Sequence, residues 1–521
     1  MHIDEKNNWL PHLRNFPKSI RGYKSCVYFL ALEGWRRGLT LRFHLRPSNF
    51  ISSGISYSLS DGEKTHYFKV SRGDKVTKEA ISICVQKPKT YEYLRKNNVP
   101  VPEGRDFSKT ATDEEIIAYA EKIGYPLVVK PTDGASGKGV IVDIKNITEL
   151  KDAIQTVRYE LKYKDVIVER FIRGMDYRVY VVDGEVIGIY KRVPANVIGD
   201  GISTIEQLIE IKNNIRKKNP FIQRRSIKID DNLIDYLEEQ NLSLQSVPEK
   251  GERIFLRRQG EYLQERDPVD ITEEVPEHIK EIAVKAVKSI PGLPHCNVDM
   301  LVDEEREEGF VNEINSRPQI SNHLFPLEGK ARDIPRAIID FYFPETKNKE
   351  RYDQYYFDFD SVYRSFINRD ASLIEIPAVP KTHQLIRFRL NGDLQQKIYE
   401  TRIRRQFATL KIYGYLKHLK NGQTSIVASG TSKALEKLER WLKDEFLETE
   451  KVKSIKKLSR KRPIVLSFNV YSSRKRKSKL REENENLKKK LQKVTKDYKI
   501  LSSKLPIRLY RKIMRVGRNN S

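Results

Sequence analysis

Short β-branched runs in YPLVVK (125–130), GVIVDI (139–144) and DVIVERFI (165–172) predict three strands. DEEIIAYAEKIG (113–124), before the first strand, and TELKDAIQTVRYEL (148–161), between the last two, carry apolar residues at helical spacing. The extended connector VPVPEG (99–104) precedes the set, so the order is strand, glycine-rich loop, strand, helix, strand. Such a unit forms a small sheet whose loop folds over a neighbouring domain. Further on, NVDMLVD (297–303) and GFVNEINSRP (309–318) are apolar strands carrying acidic residues, with Glu313 and Asn315 projecting to one face.

The pattern changes near residue 375. Strand HQLIRFRLNG, helix KIYETRIRRQFATLKI, the strand pair in GYLKHLKNGQTSIVASG with its Asn421-Gly422 turn, helix SKALEKLERWLKDEF and strand PIVLSFNV follow in a β-α-β-β-α-β order. That order predicts a ferredoxin-like split unit. From 480 onward Leu487, Leu491, Val494, Tyr498, Leu501 and Leu505 trace a heptad seam of under three heptads. It serves either self-association or packing of one helix on the body.

Length and composition change this picture in two ways. At 521 residues with 38% hydrophobic content, the chain has room for two to four domains with proper cores. The net charge of +26 is concentrated at the end, because residues 451–521 hold 25 Lys and Arg against 4 Asp and Glu. A partner-seeking basic surface therefore belongs to the tail, where LPIRLYRKIMRVGR is a basic amphipathic segment suited to anionic lipid and RKRK and KKK suit a polyanion. Cys26, Cys84 and Cys296 give neither a disulfide framework nor paired metal-ligand spacing. Together with a start that lacks a signal pattern, this predicts a cytoplasmic protein, with the tail able to meet the inner membrane face.

The stretch VVKPTDGASGKGV (128–140) raises the chemistry. A P-loop needs four residues between its first Gly and the Gly-Lys pair, then a hydroxyl. Gly134 stands two residues before Gly137-Lys138, and Gly139 occupies the hydroxyl position, so the P-loop is excluded. Gly134, Gly137 and Gly139 with Thr132 and Ser136 still make either a mobile phosphate clamp or a hairpin turn. Asp299, Glu313 and Asn315 offer the hard oxygen ligands that magnesium prefers when it bridges nucleotide phosphates.

Taken in order, Lys87, VPVP, VVKPTDGASGKGV, VERFIRGMDYRVYVVDG, KRVPANVIGDGISTIEQLIE, FLRR, DIT, NVDMLV and NEINSRP resemble the ATP-grasp ligases, in particular cyanophycin synthetase and the ATP-grasp part of bifunctional glutathione-synthesising enzymes. The resemblance spans roughly residues 80 to 345. It implies an α+β chain in which two α+β subdomains clasp ATP, and amide formation between a small-molecule carboxylate and an amine through an acyl phosphate, with ATP and Mg2+ (or Mn2+).

By the same resemblance, Lys87 and Lys130 contact the α- and β-phosphates, and the loop of Thr132, Gly134, Ser136, Gly137, Lys138 and Gly139 covers the γ-phosphate. Glu169 sits at the adenine and ribose edge, Asp176 and Arg178 shape the nucleotide cleft, and Asp299, Glu313 and Asn315 hold the metal. Arg257 and Arg317 are the expected catalytic cations on the acyl phosphate and carboxylate, since a guanidinium matches those oxygens in a two-point fork, with Lys191 and Arg192 assisting. Where cyanophycin synthetase has a segment rich in Ser, Thr and Gly, this chain reads QGEYLQERDPV (259–269), which marks an altered acceptor site. The other reading is a noncatalytic nucleotide-binding scaffold that recruits polyanion or membrane partners through the tail.

Residues 380–470 resemble acylphosphatase, including Gly392, Gly414 and Asn421-Gly422. Where that family places its arginine and asparagine, this chain has Glu400 and His418, and Asp393 to Lys397 replaces the phosphate loop. A carboxylate there repels phosphate, so the resemblance implies the fold without the hydrolysis. The expected organisation is an N-terminal α/β subdomain (1–80), an ATP-grasp domain (81–346, glycine-loop subdomain about 100–190), a linker (347–375), an acylphosphatase-like domain (376–472) and a basic coiled-coil or amphipathic tail (473–521), with 480–505 the candidate homo-oligomer seam.

Overall fold

The computed structural model describes residues 9–45, 55–132, 139–258, 262, 264–392, 394–419, 421–460 and 462–471. The chain separates into two compact units, dividing at Val379 and Pro380. Among the described residues no helix is long and apolar enough to cross a membrane. The tail seam at 487–505 and its basic runs lie outside the described residues.

The first unit contains three sheets of four or five strands. At its N-terminal end helix Lys24–Arg36 packs on an antiparallel sheet in which strand Leu373–Glu375 pairs with Thr40–Leu45, followed by Ile55–Ser60, Thr65–Lys69 and Arg72–Gly73. The stretch expected as a linker therefore belongs to this subdomain. Helix Phe359–Ile367 buries Phe359, Val362 and Phe366. Phe357 packs edge-on or tilted against Tyr28, Trp35 and Phe43. Aromatic burial outweighs the polar composition that made 347–375 read as a connector, since each ring removes a large apolar area from water.

Next comes a four-stranded antiparallel sheet ordered Gly104–Phe107, Val166–Arg170, Leu127–Pro131, Ile141–Ile144, in the β-loop-β-helix-β arrangement predicted. Helix Asp113–Ile123 begins at a capping box of Thr112 and Glu115, carries three acids in its first turn, and buries Ile116, Ala120 and Ile123 on this sheet. The second helix, Ile147–Ile154, widens into a π turn over Gln155–Glu160, so the predicted span 148–161 is helical but not uniform.

The central sheet has the antiparallel order Asp267–Asp270, Glu185–Val193, Met175–Val182, His295–Asp303, Glu308–Asn315. Strand alternation sends Tyr177, Val179, Val181, Val298, Met300, Val302, Val311 and Ile314 into one core with helices Lys78–Val85 and Glu277–Lys288. The opposite face is left for polar chemistry. Between strands Glu185–Val193 and Asp267–Asp270 the chain makes an insertion, where helices Ile205–Arg216 and Asp231–Glu239 and the antiparallel pair Asn196–Ile198 and Arg253–Phe255 enclose their own small core.

The second unit has strands in the order Ile455–Ser459, Gln384–Leu390, Thr424–Gly430, Tyr413–His418, Phe468–Tyr471, with helices Lys397–Thr409 and Ser432–Leu442 packed on one face. The fourth strand of the split order is Ile455–Ser459, antiparallel to Gln384–Leu390, and the segment predicted for that place, PIVLSFNV, instead supplies Phe468–Tyr471 as a fifth strand parallel to Tyr413–His418. The edge strand Ile455–Ser459 was not anticipated. Its segment, with Lys453, Lys456 and Lys457, is too polar to read as a strand, and at an edge only one neighbour is needed.

Candidate active site

Cross-strand register builds the polar face of the central sheet row by row. Tyr190, Arg178, Asp299 and Glu313 stand opposite one another across four strands, and Tyr180, Asn297 and Asn315 form the adjoining row. Asp299 is 2% exposed. It is ion-paired to Arg178 and accepts from Asn297 Nδ2 at 2.5 Å and Asn315 Nδ2 at 3.1 Å. Thus Asp299, Glu313 and Asn315, separated by up to sixteen residues in sequence, share one patch, and they provide two carboxylates and an amide. Hard oxygen donors of this kind suit magnesium, which takes one or two carboxylates and completes its shell with water and phosphate oxygens. Among the described residues no group of three or more His, Cys, Asp and Glu side chains could hold a metal by itself.

The register slips by one residue between Asp299 and Met300, so Asn312 is the extra residue of a bulge. The bulge aims Asn312 at the glycine-loop sheet, where its Oδ1 accepts from Lys130 Nζ at 3.1 Å. Tyr91, on helix Lys87–Lys96, donates to the Asn312 carbonyl at 3.1 Å and lies 3.4 Å from Lys130 Nζ. Neither Asn312 nor Tyr91 was singled out in the sequence. Two polar residues in succession within VNEIN were the available signal, because an alternating strand has no place for both.

Lys130 and Glu169 are each 3% exposed and form an ion pair. Burial pushes the Lys130 ammonium below its usual range, Glu169 opposes that shift, and the positive charge of Lys87 adds to it. Lys87, the first residue of its helix, is therefore close enough to be felt at Lys130. Glu169 was expected at an adenine edge. Its carboxylate neutralises Lys130 and lies 3.5 Å from the Tyr91 hydroxyl, since a lone ammonium at this depth would be costly. Thr132 directs both its amide and its hydroxyl to the Asp165 carbonyl. Gly139 has φ 76°, and an added Cβ would stand 3.2 Å from the Tyr163 ring. Gly134, Ser136, Gly137 and Lys138 lie outside the described residues.

Asp176 receives Arg178 Nε at 3.0 Å, Arg192 Nε at 3.0 Å and Arg266 Nη1 at 3.4 Å. Burial alone would raise its carboxyl, yet the guanidiniums of Arg178 and Arg192 outweigh burial and hold it below the ordinary carboxylate range. Arg178 thereby ties Asp176 to Asp299. Arg192 shares this face, whereas Lys191 points to the other side of the sheet and pairs with Glu304 at 3.1 Å. An assisting role for Lys191 is corrected by strand alternation, because adjacent residues face opposite ways.

The two catalytic arginines expected from the sequence part company. Arg317 is exposed, follows Asn315 by two residues, and makes no ion pair among the described residues. Its charge is felt at Arg72, whose pKa is lowered by burial first and by Arg317 second. Arg257 is 1% exposed and wholly engaged within the insertion: Nη1 and Nη2 reach Asp230 at 2.6 and 3.1 Å, Nε reaches Glu265 at 3.0 Å, and Nη2 donates to the Lys228 carbonyl at 2.7 Å. Tyr262 stacks on the same guanidinium at 3.9 Å. Expected to cradle an acyl phosphate, Arg257 here directs its donors to Asp230, Glu265 and the Lys228 carbonyl, which close the insertion.

Residues 86–186 match the family described as carbamoyl-phosphate synthase L chain, ATP binding domain, and residues 386–469 match acylphosphatase. The chain carries an ATP-grasp domain. It is 32% identical over 361 residues to a glutathione biosynthesis bifunctional protein of Clostridium perfringens, covering 66% of this chain and 44% of that protein. It is 31% identical over 274 residues to the cyanophycin synthetase of Crocosphaera subtropica, covering 51% of this chain and 31% of that one. The chain thus spans less than half the length of these relatives. A crystal structure of a bifunctional glutathione synthetase from Pasteurella multocida aligns over 57% of this chain and 41% of that one, with 24% identity and a TM-score of 0.45.

The acylphosphatase-type domain shows how its altered positions are used. His418, 3% exposed at the end of its strand, places Nε2 at 3.2 Å from Glu400 Oε1 and Nδ1 at 3.4 Å from Thr424 Oγ1. The two residues that replace the family's arginine and asparagine therefore contact each other.

Proposed function

We propose that this protein is an ATP- and magnesium-dependent ligase that joins a carboxylate to an amine through an acyl phosphate, releasing ADP and phosphate. The observation that carries the reading is one row of register-paired residues, Arg178, Asp299 and Glu313, with Lys130 tied by Asn312 to the same strand. The relatives support it, being named for glutathione and cyanophycin synthesis. Attachment of an amino acid to a peptide or cell-surface polymer precursor is the wider setting this proposal allows.

Asp299, Glu313 and Asn315 are the residues that would hold magnesium, and when bound the ion supplies positive charge to the phosphate oxygens of ATP. Lys130 and Lys87 place further positive charge beside that position, so a carboxylate oxygen can approach the γ-phosphorus against less repulsion. A carboxylate oxygen bonds to that phosphorus as the bond to ADP breaks. The amine nitrogen then attacks the acyl carbon, the bond to phosphate breaks, and the nitrogen loses a proton. Arg317 and Arg192 are the cations placed to steady the acyl phosphate, in place of Arg257. Glu169 keeps Lys130 fixed rather than touching the reacting atoms.

The test is amine-dependent ADP release across a panel of amino acids and acidic sugars in the presence of Mg2+. Glu313→Gln is expected to lower turnover by at least about a hundredfold while circular dichroism stays unchanged. Unaltered turnover in that variant, or tight magnesium-nucleotide binding with no release on any amine, sinks the ligase reading.

A further inference from the structure

The sheet of the second unit carries its two helices on one face, and its charges are sorted between helices and strands. All eight Asp and Glu residues of 380–471 fall within 393–400 or 436–450, and none falls in one of the five strands. Phe388, Leu416, Ile426 and Phe468 point into the core beneath the helices, so their strand neighbours point to the open face. Register sets that face row by row. Lys456, Arg389, Ser425, Lys417 and Tyr471 stand opposite one another across the five strands, and Leu458, Arg387, Val427, Tyr415 and Asn469 form the adjoining row.

The cations of this face have no counter-ions. Arg387, Arg389, Lys417, Lys456 and Arg460 make no ion pair among the described residues, and the buried Nε atoms of Arg389 and Arg460 have no hydrogen-bond partner there. Arg387 Nε donates to Ser425 Oγ at 2.8 Å, which holds its guanidinium across the central strand. Tyrosines stand among these charges. Arg460 lies 5.6 Å over the Tyr415 ring, Tyr415 meets Tyr471 edge-on at 5.3 Å, and Tyr471 is 42% exposed. Beyond Tyr471 the sequence runs on as SSRKRKSK, so the segment that leaves this face is repelled by it.

A surface of cations without acids suits a polyanion, and the tyrosines decide which one. In a single strand of nucleic acid the phosphates meet Arg and Lys while an unstacked base lies on a tyrosine ring, since every base has a π-face. A duplex keeps its base faces covered, and an acidic polypeptide brings no ring to stack. A lipid surface calls for protruding aliphatic groups, and these two rows offer Leu458 at 38% exposure. We propose that the open face of this sheet binds single-stranded nucleic acid, with phosphates on Arg389, Lys417 and Lys456 and bases on Tyr415 and Tyr471. The site belongs to the second unit alone and goes beyond the ligase reading without depending on it.

The experiment titrates the full chain into a fluorescein-labelled oligouridylate of about twelve nucleotides, follows anisotropy at several salt concentrations, and repeats the titration with an abasic oligomer of equal length and with phosphatidylserine vesicles. Lys417→Gln with Lys456→Gln is expected to weaken oligouridylate about tenfold and to flatten the salt slope by about 1.4, the share of two phosphate contacts on a single strand. Tyr415→Leu is expected to weaken oligouridylate at least about fivefold while the abasic oligomer stays within about twofold. Tyr471→Ala, at an exposed position, makes the same comparison where Tyr415→Leu fails to fold. Absence of oligouridylate binding overturns the proposal. An affinity and salt slope untouched by the lysine pair would assign binding to the basic tail and overturn it as well. Equal weakening of oligouridylate and abasic oligomer by the tyrosine variants would leave a general polyanion surface, and vesicle binding that the lysine pair abolishes while oligouridylate is unaffected would leave a lipid surface; either result overturns the nucleic-acid assignment.

Discussion

Replacing Lys130 by Met keeps most of the aliphatic stem, removes the ammonium, and leaves the Glu169 carboxylate at 3% exposure facing only the Tyr91 hydroxyl 3.5 Å away. That hydroxyl has one proton and already donates to the Asn312 carbonyl at 3.1 Å. Breaking one side of a buried pair costs about 3–5 kcal/mol, and the low exposure of both partners puts this pair in that class. For a unit of this size, Met1–Val379, the midpoint of thermal unfolding should fall by roughly 4–6 °C. Lys130→Met combined with Glu169→Gln removes the stranded charge and should recover all but about 1–2 kcal/mol, giving a coupling energy of about 2 kcal/mol or more. Chemical denaturation of the wild type, the two single variants and the double variant measures that coupling, with nucleotide binding followed in parallel. A phosphate-contacting Lys130 requires that the double variant, though restored in stability, still fails to bind ATP. The reasoning is refuted if Lys130→Met unfolds at the wild-type denaturant concentration, or if the double variant is as unstable as the sum of the singles.

Arg257→Leu strands Asp230 and Glu265 and should cost about 3–4 kcal/mol in denaturant midpoint, while the folded fraction keeps its affinity for ATP, the reverse of the outcome for a catalytic cation. Acid should weaken the first unit through its buried histidines. Burial pushes His295 down to about 4 and His323 to about 3, both well under the unfolded value near 6.5, so the stability they contribute is complete above pH 6.5 and lost as pH falls toward 4 and 3. At pH 5 each accounts for about 2 kcal/mol, and His323→Phe, whose ring can keep the edge contact with Tyr190, should flatten the pH dependence of the unfolding midpoint over that window. Gly414→Ala would bring a Cβ to 1.9 Å from the Val427 carbonyl oxygen at a φ of 148°, forcing apart the two strands it joins. Loss of at least about 3 kcal/mol from the second unit's unfolding transition checks this.

Much of the architecture was legible in the one-dimensional pattern because it rests on local chemistry. The helix at Asp113–Ile123 follows from its capping box, acidic first turn and apolar stripe, all contained within a dozen residues. The split unit at the end follows from strand and helix periods and one Asn-Gly turn. Asp299, Glu313 and Asn315 could be named together since acids inside apolar strands are costly unless used, and the antiparallel register then set them side by side.

What required the tertiary structure were features whose cause lies far away in sequence. FLRR contains two adjacent arginines, and nothing local says that Arg257 turns inward to carboxylates at 230 and 265. Residues 373–375 look like loop until they complete a sheet begun more than three hundred residues earlier, supplying hydrogen bonds that no local pattern encodes. Asn312 reaches Lys130 only through a bulge, whose position depends on how two strands are paired. The convergence of three guanidiniums on Asp176 is visible only in the folded chain, for electrostatic balance depends on distances in space while sequence records only order.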